Sequence, residues 1–206
     1  MLKIYAGLAL TAVAGLLGGT YFVSLQQQAN DPFAACRTSA IAGGGGDIGG
    51  AFTLVDENGK TVTEKDVLAK PALVYFGYSF CPDVCPLDNA RNAEAVDLLK
   101  AKGLDVTPVF ISIDPERDTP EVVKSFTENL HPDMIGLTGT PEQVQAASRG
   151  YKTYFKKQET GDQYYLMDHS TFTYLMLPGQ GFADFFTRDD TAEQIAERTA
   201  CYITNS

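Results

Sequence analysis

Two cysteines separated by three residues, Cys81-Pro82-Asp83-Val84-Cys85, stand between a short apolar run and a segment of helix-forming composition. A strand-to-helix junction leaves backbone N–H groups unpaired at the helix N-terminus, where they favour anions and lower the pKa of a nearby thiol. Thiolates placed there serve two chemistries: exchange with disulfides and binding of a soft metal ion. The i to i+4 spacing sets the sulfurs one helical turn apart on one face, where they could clasp a single ion. Two thiolates suit Cu(I), Zn or iron–sulfur iron, and an added imidazole makes a three-coordinate copper site.

A histidine is therefore the discriminating residue, and the chain has two. His131-Pro132 follows an amphipathic segment at its expected C-terminus, where a cation is favourable, and reads as helix termination. His169 lies in Tyr164-Tyr165-Leu166-Met167-Asp168-His169-Ser170, just ahead of a strand beginning near Phe172. Taken alone, a histidine beside aromatics is more often a packed or hydrogen-bonded core residue than a ligand. Asp168 could support its imidazole from behind, a common need of metal-bound histidines, or simply be solvated. The remaining cysteines, Cys36 and Cys201, lie near the two ends of the domain, where no metal-ligand spacing surrounds them. Termini of compact domains often come close, so a Cys36–Cys201 disulfide is expected, with two inert thiols as the alternative.

The elements that must position these groups are legible in outline. Phe52–Val55 and Thr61–Thr63 flank Glu57-Asn58-Gly59-Lys60, whose Asn-Gly predicts a tight hairpin turn with positive φ angles. Pro71–Gly77 is a continuous apolar run suited to a strand buried on both faces. A helix is expected over Leu87–Lys102 and a second buried strand over Val106–Ile113. Thr119-Pro120-Glu121 and Thr140-Pro141-Glu142 each combine a hydroxyl cap, a first-turn proline and an acid, so both begin helices. A short strand is expected near Ile135. Phe172–Leu177 and Phe182–Thr187 form a hairpin around Pro178-Gly179-Gln180-Gly181, and Thr191-Ala192-Glu193-Gln194 opens a last helix with a capping box. This order predicts an α/β sandwich: a mixed sheet flanked by helices, with an added N-terminal β-hairpin.

The chain divides into an anchor at 1–25, a linker at 26–50 and one domain at 51–206. Ile4–Val23 carries no charge and has about the 20 residues a membrane-spanning helix needs. Lys3 precedes it, which places the domain outside the cytoplasm, on the periplasmic side of an inner membrane crossed once. A cleaved signal peptide is the alternative. Against it, Ala12-Val13-Ala14 falls in the middle of the apolar stretch, which is longer than a signal's usual core. Phe33-Ala34-Ala35-Cys36 faintly resembles a lipoprotein processing site, but Asp31-Pro32 separates it from that stretch. Gln26–Gly50, with Gly43-Gly44-Gly45-Gly46, holds too few apolar groups for a packed core. A formal charge of −10 without a basic run argues against a nucleic-acid partner.

From Phe52 to Tyr202 the chain resembles the Sco/SenC copper-delivery proteins. The resemblance rests on Tyr75-Phe76-Gly77-Tyr78-Ser79-Phe80-Cys81-Pro82-Asp83-Val84-Cys85-Pro86, on Phe110-Ile111-Ser112-Ile113-Asp114-Pro115-Glu116-Arg117-Asp118-Thr119-Pro120, and on Asp168-His169-Ser170. It implies a thioredoxin-like fold, an N-terminal anchor, and one copper ion, Cu(I) or Cu(II), held by Cys81, Cys85 and His169. The implied role is assembly of the dinuclear copper centre of cytochrome c oxidase subunit II, with another copper chaperone as a possible donor. A thiol–disulfide reductase, using Cys81 and Cys85 to keep the subunit II cysteines reduced, is the competing function. Peroxide reduction is suggested only by fold relatives and weakly: by resemblance to that other family, thiol peroxidases place a hydroxyl three residues before the reactive cysteine, a place taken here by the bulky phenol of Tyr78. Asp114 and Arg117 are expected to set a loop or to take a direct part in function.

Overall fold

The computed structural model describes residues 15, 17–23, 32–37, 48–159 and 164–206. Residues 15 and 17–23 are helical and exposed. Among the described residues no helix is long and apolar enough to cross a membrane. Most of the expected span, and Gly43–Gly46 of the expected linker, lie outside the described residues.

The domain opens on the hairpin β1 (Thr53–Asp56) and β2 (Thr61–Thr63), with Leu54 opposite Val62. Its turn differs from the Asn-Gly expectation in one respect. Gly59 alone takes positive φ, at +79°. Asn58 and Lys60 instead donate their N–H groups to Asp56 Oδ1 at 2.9 and 2.8 Å, an arrangement that needs only one left-handed residue. A single helical turn, α1 (Glu64–Val67), follows and leads to β3 (Ala72–Gly77), all six residues of which are buried. Then come α2 (Val84–Ala101), β4 (Thr107–Ser112), α3 (Pro120–Glu128), β5 (Ile135–Thr138) and α4 (Pro141–Gly150). The chain closes with β6 (Phe155–Lys157), β7 (Met167–His169), β8 (Thr173–Leu177), β9 (Gly181–Phe186) and α5 (Ala192–Thr204).

Seven strands form one mixed sheet in the order β2-β1-β5-β4-β3-β8-β9. β3, β4 and β5 run parallel, while β8 and β9 complete the other side antiparallel. Alternation along β3 divides the core. Tyr75 and Gly77 point toward α2, where the Tyr75 hydroxyl meets Asp88, and Phe76 points the other way, onto Tyr151 and Tyr174. α3 shares the α2 face through Phe126, which stacks on Phe110 at 4.7 Å, and α5 packs on α2. Thr119, Thr140 and Thr191 each accept a backbone N–H from the first turn of the helix they precede, as their sequence signatures predict.

Two elements depart from the sequence reading. α2 begins at Val84, three residues before Leu87, so Pro86 lies inside its first turn. Proline is tolerated there because the first-turn N–H groups have no intrahelical acceptor. The second departure is β6 and β7, a separate two-stranded sheet in which Phe155 pairs with His169 and Lys156 with Asp168. Each strand is only three residues long, too short to show a periodic pattern.

Cys36 and Cys201 are joined by a disulfide with their Cα atoms 5.6 Å apart. Phe33 packs beside it on Tyr202, with ring centroids 5.1 Å apart. These residues share a cluster with Leu73, Leu99, Val106 and Leu177, which mark the end of the sheet away from Cys81 and Cys85.

Candidate metal centre

The site is assembled where β3 ends and α2 begins. Gly77 is the last residue of β3, and its missing side chain makes the junction possible. A Cβ there would lie 2.8 Å from Tyr75 Cε1 and 2.9 Å from Cys85 Sγ. The loop after it is tied down by Asp118, which is fully buried. Asp118 Oδ2 accepts from the Ser79 N–H at 3.0 Å and from the Ser112 hydroxyl at 2.5 Å, and Oδ1 accepts from the Ser79 hydroxyl. Burial pushes the Asp118 carboxyl above the usual range, against these hydrogen bonds.

Cys85 stands in the first turn of α2, fully buried, whereas Cys81 precedes the helix. The sulfurs therefore do not share a helix face, contrary to the i to i+4 expectation. They meet because Cys81 Sγ accepts the unpaired first-turn N–H of Cys85, at 3.3 Å. The Cys81 thiol is held well below the ordinary thiol range. The chief cause is a hydrogen bond from the Cys85 thiol, joined by others from His169 and from the backbone of Asp83 and Cys85, and opposed by burial. Donating to Cys81 pushes the Cys85 thiol upward, and burial adds to this. The pair thus retains one proton, on Cys85.

The imidazole arrives from the end of β7. His169 Nε2 lies 3.4 Å from Cys85 Sγ, and the two sulfurs and one ring nitrogen all fall within 4.8 Å of one another. His169 Nδ1 is 2.8 Å from the Ser170 carbonyl oxygen. A carbonyl only accepts, so Nδ1 carries a proton and Nε2 is the nitrogen turned to the sulfurs, where it donates to the Cys81 thiolate when protonated and presents its lone pair when not. Tyr75 and Tyr78 set their rings edge-on to the imidazole, at 6.3 and 5.8 Å.

The support expected of Asp168 is supplied instead by the Ser170 carbonyl. Successive strand residues face opposite ways, so Asp168 is exposed and accepts from Gln158 Nε2 at 2.6 Å, turned away from the ring. His131 takes no part: its Nε2 is 3.3 Å from Asp97 Oδ1, and its Nδ1 accepts the Asp133 N–H at 3.0 Å. Asp114 and Arg117 form a partly buried ion pair that reaches Tyr165, four residues before His169. Gly77, Asp118 and Ser170 were not singled out from the sequence. The signal for Gly77 was a glycine between two aromatics just before the first cysteine, and Asp118 sits within one of the quoted motifs.

Two sulfurs and one imidazole nitrogen form a soft donor set with room for one ion and a third ligand already oriented, which suits copper. A thioredoxin-like fold presenting a dithiol and a histidine at the strand-to-helix junction defines a class, thiol proteins able to hold a soft metal. The SCO1/SenC family model matches residues 42–204, and the chain belongs to that family. Protein SenC of Rhodobacter capsulatus is 53% identical over 201 residues, spanning 98% of this chain and 90% of that protein. The mitochondrial SCO1 homolog 1 of Arabidopsis thaliana is 43% identical over 151 residues, 73% of this chain and 45% of that longer protein. Among solved structures, Arabidopsis thaliana ScoI with copper bound matches at a TM-score of 0.74 and 41% identity, covering 77% of this chain and 99% of that one. Bradyrhizobium japonicum ScoI with copper bound matches at a TM-score of 0.69 and 39% identity, covering 75% and 99%.

Proposed function

We propose that this protein binds one copper ion through Cys81, Cys85 and His169 and delivers it during assembly of cytochrome c oxidase, to the dinuclear copper centre of subunit II. The observation that carries this reading is the convergence of the two sulfurs and the His169 ring nitrogen within 4.8 Å. Copper-bound relatives of the same family support it. Thiolate ligands accommodate Cu(I), and the imidazole extends the set to Cu(II). Loading displaces the proton held on Cys85, because only a thiolate ligates. Release proceeds by ligand exchange, with the partner's cysteines or histidines replacing the site's own one at a time. The apolar stretch at 4–23 fits a membrane anchor that holds the domain on the periplasmic side, near a membrane-bound oxidase.

The asymmetric dithiol favours a second reading, reduction of a partner disulfide. Cys81 is the thiolate and the more exposed residue of the two, at 7% against 0% for Cys85. Its attack would form a mixed disulfide and release one partner thiolate. Cys85, after losing its proton, would attack Cys81 Sγ and release the second, leaving a Cys81–Cys85 disulfide. Two electrons pass to the partner, and an external dithiol must restore the site.

Copper titration of the full-length chain, beside reduction of an oxidised subunit II fragment, tests both. His169→Ala removes a ligand outright and is expected to weaken copper retention by more than the roughly 10- to 100-fold that loss of a supporting partner costs, and to leave disulfide reduction largely intact. Cys81→Ser and Cys85→Ser are expected to damage both. A His169→Ala variant that holds copper as tightly as its parent would defeat the ligand assignment.

A further inference from the structure

We propose that Arg117 is a positioning residue that clamps the strand bearing His169 onto the loop bearing Cys81, an inference that rests on the copper-ligand reading above. The need for a clamp follows from the fold. Among the described residues, β6 and β7 pair only with each other. Two-stranded ribbons are marginally stable by themselves, so contacts outside the ribbon must fix the imidazole over the sulfurs.

Arg117 makes those contacts on both sides. Its NH1 donates to the Tyr165 carbonyl at 3.0 Å, and its guanidinium lies 3.6 Å from the centre of the Tyr165 ring. On the other side the same guanidinium lies 4.9 Å from the Phe80 ring centre and 5.7 Å from that of Tyr78. Phe80 immediately precedes Cys81, and the Tyr78 hydroxyl accepts the Met167 N–H at 3.3 Å. The group is held in this plane by Asp114, whose Oδ2 accepts from Nε at 2.5 Å while its Oδ1 accepts from the Tyr165 hydroxyl at 2.7 Å. Side-chain exposures of 16% and 3% keep the pair largely out of water. Arginine alone satisfies this arrangement, because a planar fork can stack on rings while donating along its edge to a carboxylate and a carbonyl. Lysine keeps the charge and loses the plane.

Arg117 touches neither the sulfurs nor the imidazole. It acts by deciding whether the third ligand is in place. The consequence is selective: without the clamp the two thiolates remain, and Cu(I) binding by sulfur persists, while the nitrogen contribution needed for Cu(II) falls away.

Arg117→Lys, Arg117→Met and Tyr165→Leu in the full-length chain provide the test, with Tyr165→Leu keeping the Arg117–Asp114 pair in case the arginine variants fold poorly. Two readouts are independent. In metal-free protein, amide hydrogen exchange across 155–157 and 167–169 is expected to quicken about tenfold or more relative to β3 and β4, as local opening at constant global stability does. In copper-loaded protein, the nitrogen hyperfine signal of Cu(II) is expected to weaken toward that of His169→Ala, with Cu(II) affinity down about 10- to 100-fold and Cu(I) stoichiometry unchanged. Parental exchange rates and a parental nitrogen signal in all folded variants would overturn the inference. If the parent and His169→Ala give the same copper spectra, the ligand reading fails instead, and hydrogen exchange alone still decides whether Arg117 holds the ribbon.

Discussion

Cys81 and Cys85 are chemically unlike, although both are buried thiols of one short motif. Cys81 accepts a helix N–H and a thiol proton; Cys85 gives its proton to its neighbour. Shifts of opposite sign oppose each other in pH-dependent stability. The lowered Cys81 value stabilises the fold above the ordinary thiol pKa and ceases to do so as pH falls through the lowered value. The raised Cys85 value stabilises it below the ordinary pKa and ceases to do so as pH rises. Alkylation separates them. Iodoacetamide is expected to label Cys81 first, and to keep labelling it well below about pH 8.5, where an ordinary thiol is half ionised. Cys85→Ala and His169→Ala each remove a donor to Cys81 and are expected to move its labelling midpoint to higher pH, read by mass spectrometry of the labelled peptide. Gly77→Ala tests the geometry itself. A methyl placed 2.9 Å from Cys85 Sγ and 2.8 Å from the Tyr75 ring must displace one of them. It is expected to cost about 1–3 kcal/mol in urea unfolding, as overpacking does, and to weaken copper binding in the same protein.

At the scale of elements, the site depends on two loops being held by groups remote from its chemistry. Asp118 holds the cysteine loop through Ser79 and ties it to β4 through Ser112. Asp118→Ala strands buried donors, and is expected to destabilise the protein by about 1–3 kcal/mol per unpaired group in urea unfolding. The strands, helices and caps around these loops were legible because each has a local cause: an unbroken apolar run for β3, a Thr-Pro-Glu start for α3 and α4, a capping box for α5. The start of α2 was misplaced because proline reads as a boundary, although it fits a first turn. The ribbon of β6 and β7 was missed because its pairing joins segments separated by nine residues, and no pattern within three residues announces it. Cys81, Cys85 and His169 were thus identifiable by type and motif. The Ser170 carbonyl behind the imidazole was not, since a main-chain acceptor has no signature in side-chain identity.

Across the whole molecule, the core divides between the cluster around the sulfurs and the one around the disulfide. A bridge across 165 residues removes loop-closure entropy worth about 5 kcal/mol by the chain-entropy model. Replacing Cys36 and Cys201 together by serine is expected to lower unfolding stability toward that amount, while copper stoichiometry remains that of the parent. Loss of copper binding in a variant that remains folded would show that the two ends are coupled. The disulfide also determines where force enters the domain. Because Cys36 is bonded to α5, tension on the chain ahead of it bypasses the intervening residues 37–47 and the first hairpin, and loads the final helix directly. A pull from the N-terminal side therefore enters the domain at the end of the sheet away from the sulfurs.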